Sequence, residues 1–344
     1  MLTEKGYGVC LNRYHKSFKT NIYEVKDLLK DNGIYEVDIN GVIHWIKIAG
    51  RENNTIPLIL LHGGPGGNHY SFERTAGPLL EQKRTVVYYE QRGCGRSEKP
   101  ISDEDYTIHT LIEDFMQILS WLEVRTVDLL GYSFGAELAL EIAYAKPESI
   151  HKLILSGPSL MGSGIGQLIQ VAGLMSVVNS DLQETIKKIL NENGSFDQIY
   201  NQIWALADEH IGDRLLFENQ EMAQLNRRYW EESGLVNSGL MRKGLLKSPM
   251  EVPLLNRLPA IKQPALLITG LFDRNTGVSI SKLVENSMPD CRWEIFNKSA
   301  HFPDIEESAK FVQISLDFYV NHHHNPYGHS VLSWIKNTAI AVYN

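Results

Sequence analysis

Apolar residues in this chain fall into short unbroken runs, separated by stretches in which they recur at helical spacing. Residues 57–61 (Pro-Leu-Ile-Leu-Leu) form one such run, the pattern of a strand covered on both faces. Residues 85–89 (Thr-Val-Val-Tyr-Tyr), 126–130 (Thr-Val-Asp-Leu-Leu), 152–156 (Lys-Leu-Ile-Leu-Ser) and 265–269 (Ala-Leu-Leu-Ile-Thr) repeat it, and 292–296 is a last strand-like run. Ahead of them, 35–39 and 42–46 flank Asn40-Gly41, a dipeptide suited to a two-residue hairpin turn because both positions need φ > 0. Leu111, Phe115, Ile118 and Leu122 fall on one face of a helix. Strands alternating with helices predict an α/β fold, with a mostly parallel sheet and helices on both faces.

The alternation stops near Pro158. Residues 161–258 read as helical with glycine-rich breaks, and strand grammar resumes at Ala265. A helical segment inserted between two halves of a sheet predicts a cap. The chain therefore divides into an N-terminal extension (1–30), a core (31–158 and 259–321), a helical cap (159–258) and a tail (322–344) that opens on His322-His-His324. The three histidines read as a solvated run, and no internal repeat is evident.

Composition narrows the class. At 344 residues and 39.0 kDa, with 43% hydrophobic and 22% charged residues, the chain has ordinary globular values, which exclude disorder, collagen and coiled coil. Lys and Arg number 33 against 41 Asp and Glu, so the cationic excess of a nucleic-acid-binding surface is missing. The longest apolar stretch, 56–61, falls far short of the ~20 residues a membrane span needs, and the first residues lack the basic and apolar regions of a secretory leader. Cys10, Cys94 and Cys291 are widely spaced and odd in number, which fits neither a disulfide framework nor a metal pattern. A soluble cytoplasmic protein is expected, acting on a small molecule or short peptide, without nucleic acid or membrane as partner.

The chemistry concentrates in three places. Gly131-Tyr-Ser-Phe-Gly135 fits G-x-S-x-G, directly after a strand and before a helical stretch, 136–145. A serine on such a turn projects its Oγ above the sheet, and the first N–H groups of the helix face any charge developing on a substrate oxygen. The competing reading is a serine that merely caps the helix. His62-Gly-Gly-Pro-Gly-Gly67 follows another buried strand. It has no downstream Gly-Lys-Ser/Thr of a phosphate cradle, so it reads as an oxyanion loop. Gly64 and Phe134 would be its N–H donors, each worth roughly 3 kcal/mol in the transition state. Downstream, Asp273 lies just past the end of the strand 265–269, and His301 follows the last strand. The order Ser…Asp…His suits this chemistry, which requires no metal or organic cofactor.

Together His62-Gly-Gly-Pro-Gly66, Tyr89-Glu-Gln-Arg-Gly-Cys-Gly-Arg-Ser97 and the Ser133 turn resemble the α/β-hydrolases, most closely the proline iminopeptidase branch of serine peptidases, over roughly residues 38–319. The resemblance implies a triad of Ser133, Asp273 and His301 beneath a helical lid, with the 91–97 loop near the site. Gly63, Tyr132, Arg274 and Phe302 are candidate substrate contacts. Two departures stand out. Aminopeptidases of this group carry an acidic residue after the triad aspartate and another in the cap to bind the substrate ammonium. Here Arg274 occupies the first position, while 208–232 holds seven acids against three arginines. The turn itself reads Gly-Tyr-Ser-Phe-Gly where iminopeptidases have Gly-Gly-Ser-Trp-Gly. Three readings follow: an aminopeptidase-like amidase; an esterase or lactonase whose acyl pocket is lined by Phe134, Phe302 and the segment 168–178; and a non-catalytic binding protein of the same fold.

Overall fold

The computed structural model describes residues 30–320. The N-terminal extension and the histidine-led tail lie outside the described residues. Eight strands form one sheet: β1 (Gly33–Ile39), β2 (Val42–Ala49), β3 (Leu58–Leu61), β4 (Val86–Tyr89), β5 (Val127–Tyr132), β6 (Ile150–Ser156), β7 (Ala265–Gly270) and β8 (Cys291–Phe296). Their order is β1-β2-β4-β3-β5-β6-β7-β8. The hairpin β1–β2 is antiparallel, as is β2 with β4, and every other pairing is parallel. Asn40 and Gly41 take φ of 51° and 75°, so the turn has the left-handed pair that matches strand twist.

Burial follows the pattern read from the sequence. β3, β4 and β7 are buried at every position, whereas β1 alternates along most of its length, as an edge strand with one wet face must. One face of the sheet packs on the helices Ile108–Leu122, Phe134–Ala145 and Gly277–Ser287. The other packs on Phe72, Leu80, Phe311 and Phe318. Thr107 caps the first of these helices through its side chain, and Glu123 ends it with φ 58°.

Between β6 and β7 the chain forms the helices Ile165–Val177, Ser180–Leu190, Phe196–Trp204, Glu209–Leu216, Gln220–Ser233 and Leu240–Lys247. Four of them, Ile165–Val177 through Glu209–Leu216, share a small core of their own made by Val171, Leu174, Ile186, Tyr200, Ile203, Ile211 and Leu215. A separate core lets the inserted segment hold its shape above the sheet. Its return to the core is fastened by Arg257, which makes a two-pronged, buried bond to Glu141 of the helix Phe134–Ala145 at 2.5 and 2.6 Å. No helix among the described residues is long and apolar enough to cross a membrane.

The order β4-β3-β5 contains a topological switch, since the chain leaves β3 to one side and returns on the other. Ligand sites of open α/β sheets form at the carboxyl ends of strands near such a point. Leu61, the last residue of β3, pairs with Gly131 of β5, which sets the glycine loop beside the Ser133 turn. At the far side Gly270 pairs with Phe296, and the loops after β7 and β8 emerge together.

Candidate active site

Ser133 is the single residue between the end of β5 at Tyr132 and the helix Phe134–Ala145. Its φ of 56° and ψ of −123° place a residue with a Cβ in sparsely populated territory. The flanking glycines make this turn physically achievable. A Cβ on Gly131 would run into the Gly135 backbone, and one on Gly135 would run into the Leu61 carbonyl. Although Ser133 stands at the N-cap position, its side chain makes no capping bond. That argues against the capping reading, because a capping serine would accept from the helix's first N–H groups. The helix begins two residues earlier than its run of good helix formers suggested, so Phe134 is its first residue.

The glycine loop passes directly over this turn. A Cβ on Gly63 would lie 2.9 Å from the Ser133 Cβ and 2.8 Å from the Tyr132 carbonyl, and Gly64 adopts φ 122°, which glycine alone takes readily. His62 shapes the loop from beneath. Its Nε2 accepts from the Gln91 N–H at 3.0 Å, so its Nδ1–H donates to the Gly63 carbonyl at 3.0 Å. Burial pushes this imidazole below its usual pKa. The 91–97 loop does not line the cavity around Ser133; its place is to brace His62, with the Gln91 amide donating to the His62 carbonyl. Cys94 is buried against Met241.

His301 and Asp273 meet as the sequence order predicts. The His301 Nδ1 lies 3.0 Å from Asp273 Oδ2. Asp273 Oδ1 accepts the N–H groups of Asn275 and Thr276, and Oδ2 also accepts the Thr276 hydroxyl at 2.8 Å. Burial by itself raises the Asp273 carboxyl. The adjacent imidazole and the bonds from His301 and Thr276 outweigh it and hold the pKa at about 2. On the other side of the ring, the Asn275 side-chain amide meets His301 Nε2 at 3.1 Å. An amide nitrogen only donates, so Nε2 carries the lone pair and Nδ1 the proton. This is the tautomer a general base needs. Ser133 and His301 line one cavity, and the Ser133 hydroxyl makes no side-chain hydrogen bond among the described residues.

Asn275 was not singled out by its sequence; only its place two residues after Asp273 marks it. Its Oδ1 accepts from Gln170 at 2.7 Å, and Gln170 accepts from Tyr200. A chain of hydrogen bonds thus runs from two cap helices to the histidine ring. The His301 backbone N–H also donates to the cap's Leu216 carbonyl at 2.9 Å.

The cavity measures about 300 Å³. Gly63, Gly64, Tyr132 and Phe302 line it beside Ser133 and His301. Phe302 stacks on Phe217 and stands edge-on to His301, with centroids 5.0 Å apart in each case. Trp204 and Trp230 enter from the cap, and Asn68, Ser71, Asn226 and Asp304 supply polar wall. None of these was anticipated, because their positions depend on how cap and core meet.

Three expectations are corrected. Arg274 does not line the cavity; its guanidinium pairs with Glu218 at 2.7 Å and reaches the Arg214 carbonyl, tying the β7 loop to the cap. It therefore presents no cation to a ligand. The Phe134 side chain is buried beneath the turn and borders a different cavity. The segment 168–178 likewise serves the cap's interior through Val171, Leu174 and Val178 instead of an acyl pocket. The acids of 208–232 are also engaged elsewhere. Asp208 caps a helix, Glu209 and Asp213 hold Arg227, Glu218 holds Arg274, and Glu221, Glu231 and Glu232 are exposed.

Comparison with known proteins places the fold in a family. The family model described as alpha/beta hydrolase fold matches residues 56–308. The chain is similar to a proline iminopeptidase of Heyndrickxia coagulans, 30% identical over 82% of this chain and 96% of that protein. It is 28% identical to one of Clostridium botulinum, over 78% and 92% of the two chains. Among solved structures, a proline iminopeptidase-related protein from Thermus thermophilus superposes with a TM-score of 0.70 at 21% identity, covering 84% of this chain and 97% of that one.

Proposed function

This chain belongs to the alpha/beta hydrolase fold family and is a hydrolase, and we propose that it cleaves the amide bond of a small amine-bearing substrate through a Ser133-His301-Asp273 triad, in the manner of a proline iminopeptidase. The observation that carries the reading is the His301 ring. Its proton is fixed on the Asp273 side and its lone pair turned toward the cavity that Ser133 enters.

In the proposed reaction the Ser133 proton passes to His301 Nε2 as Oγ bonds to the substrate carbonyl carbon, and the carbonyl π pair moves onto oxygen. The Gly64 and Phe134 N–H groups receive that oxyanion. The Phe134 donor suits the role because the first N–H groups of a helix have no carbonyl one turn behind them. When the pair returns, the C–N bond breaks and the departing amine takes the proton from Nε2. Water then repeats the sequence on the acyl-enzyme, giving a carboxylic acid and free Ser133. Asn275 Nδ2 occupies the Nε2 lone pair in the resting arrangement, so the serine proton must take its place. Hydrogen bonds of this kind often form fully only with substrate bound.

The apolar wall of Leu215, Leu216, Ile305 and Phe302 favours a second reading, an esterase or lactonase on the same triad. A side-by-side assay of L-prolyl arylamide, its N-acetyl derivative, a short acyl ester and a lactone separates the two. Turnover of the free arylamide is expected, with kcat/KM falling by roughly 100-fold or more on N-acetylation, the order of loss when one partner of a buried charge pair is removed. Turnover of the ester or lactone alone would replace the peptidase reading with the second.

A further inference from the structure

We infer that Asp304 is the carboxylate that receives the substrate's free ammonium group, an assignment that rests on the amine-bearing substrate proposed above. The family's usual acidic position after the triad aspartate is held here by Arg274, which is turned to Glu218 of the cap. The acids of the cap segment 208–232 face helix caps, arginines or solvent. A recognition carboxylate must therefore come from somewhere else, and the cavity wall contains one: among the residues lining it, Asp304 is the only acid, and no lysine or arginine accompanies it.

Asp304 lies three residues beyond His301, in the short helix Pro303–Glu306. Its side chain is 2% exposed, and its Oδ1 is buried with no hydrogen-bond partner among the described residues. A buried oxygen left unpaired is destabilising, and an ionised carboxyl there is more so. Burial raises its pKa to about 7, only partly offset by its own backbone N–H and by His301. An ammonium entering the cavity that Asp304 lines would bring a positive charge and N–H donors to this carboxyl. Trp204 and Trp230 line the same cavity, and indole rings can hold a cation.

The size of the cavity sets a further condition. At about 300 Å³ it lies at the small end of ligand pockets, roughly 300–1,000 Å³. A ligand whose carbonyl reaches Ser133 and whose amine reaches Asp304 must fit both groups within that space. An N-terminal amino-acid residue, in which a single carbon separates amine from carbonyl, meets that condition.

The test is binding, without turnover. L-prolinamide and N-acetyl-L-prolinamide are titrated calorimetrically into full-length Ser133→Ala and into Ser133→Ala/Asp304→Asn, with circular dichroism confirming that both are folded. The Ser133→Ala protein is expected to bind the free amine roughly 30-fold or more tighter than the acetylated form, and the double variant to lose that preference. Asp304→Glu in the same background is expected to restore part of it, since it returns the charge. A preference that survives Asp304→Asn would overturn the assignment while leaving the amine-bearing substrate in place. Equal binding of the two ligands by Ser133→Ala would also overturn it. The arylamide assay then decides the fate of the wider reading independently, according to whether N-acetylation abolishes turnover.

Discussion

Replacing Ser133 by alanine lowers kcat by about 10⁴- to 10⁶-fold, with the folded structure retained. The expected size follows from the role proposed for the serine, which is to form the covalent bond to the substrate carbonyl. Residual turnover is set by the oxyanion donors and by substrate binding, which the substitution leaves alone. Stability should change little, because alanine keeps the Cβ and the same φ of 56°, and the Ser133 side chain makes no capping bond that alanine forfeits. Steady-state rates on prolyl arylamide and a urea unfolding curve check both halves. Turnover within tenfold of the parent would remove Ser133 from the mechanism.

Asp273→Asn is expected to lower kcat by about 10⁴-fold, with binding of substrate nearly unchanged. The hydrogen bonds explain why. Oδ1 accepts two backbone N–H groups, from Asn275 and Thr276, so an asparagine would keep its oxygen there and turn its NH₂ toward His301. The ring must then accept at Nδ1 and carry its proton on Nε2, where it can no longer take one from Ser133. Nε2–H would also face the Asn275 amide donor, now 3.1 Å away with nothing to accept its proton. In the parent enzyme the Asp273 carboxyl stays ionised down to about pH 2. Its contribution to stability is present above the ordinary aspartate range and lost only as pH falls toward that value. Any acid limb in the rate profile above pH 4 therefore belongs to another group. A kcat loss below tenfold in Asp273→Asn would contradict the tautomer argument.

The features legible in the sequence are those enforced by local physics. Strands β3, β4 and β7 could be read as unbroken apolar runs because both of their faces are covered. The Ser133 turn could be read because two glycines are demanded by backbone contacts with each other and with Leu61, whatever surrounds them. Asp273 and His301 could be read because chain order and strand ends fix their positions. The residues that escaped depend on contacts between distant segments. Arg274 sits beside Asp273 in sequence, yet its direction is decided by Glu218, fifty-six residues away on the cap. Phe134 follows Ser133 in sequence, but its side chain is buried among the helices packed on the sheet. Asp304 and Asn275 look like ordinary loop and helix-start residues until cap and core enclose them. The segment 168–178 displayed its apolar face correctly, but that face closes the interior of the cap.

The account depends most on Ser133 being an activated nucleophile, and phosphonylation tests this directly. A fluorophosphonate is displaced at phosphorus by a reactive serine oxygen, with fluoride leaving, so an inert serine is not marked. Intact mass and peptide mapping of the full chain should find one adduct per molecule, on the peptide bearing Ser133, and none on Ser133→Ala. Adduct on another residue, undiminished labelling of Ser133→Ala, or an unlabelled parent chain would contradict it.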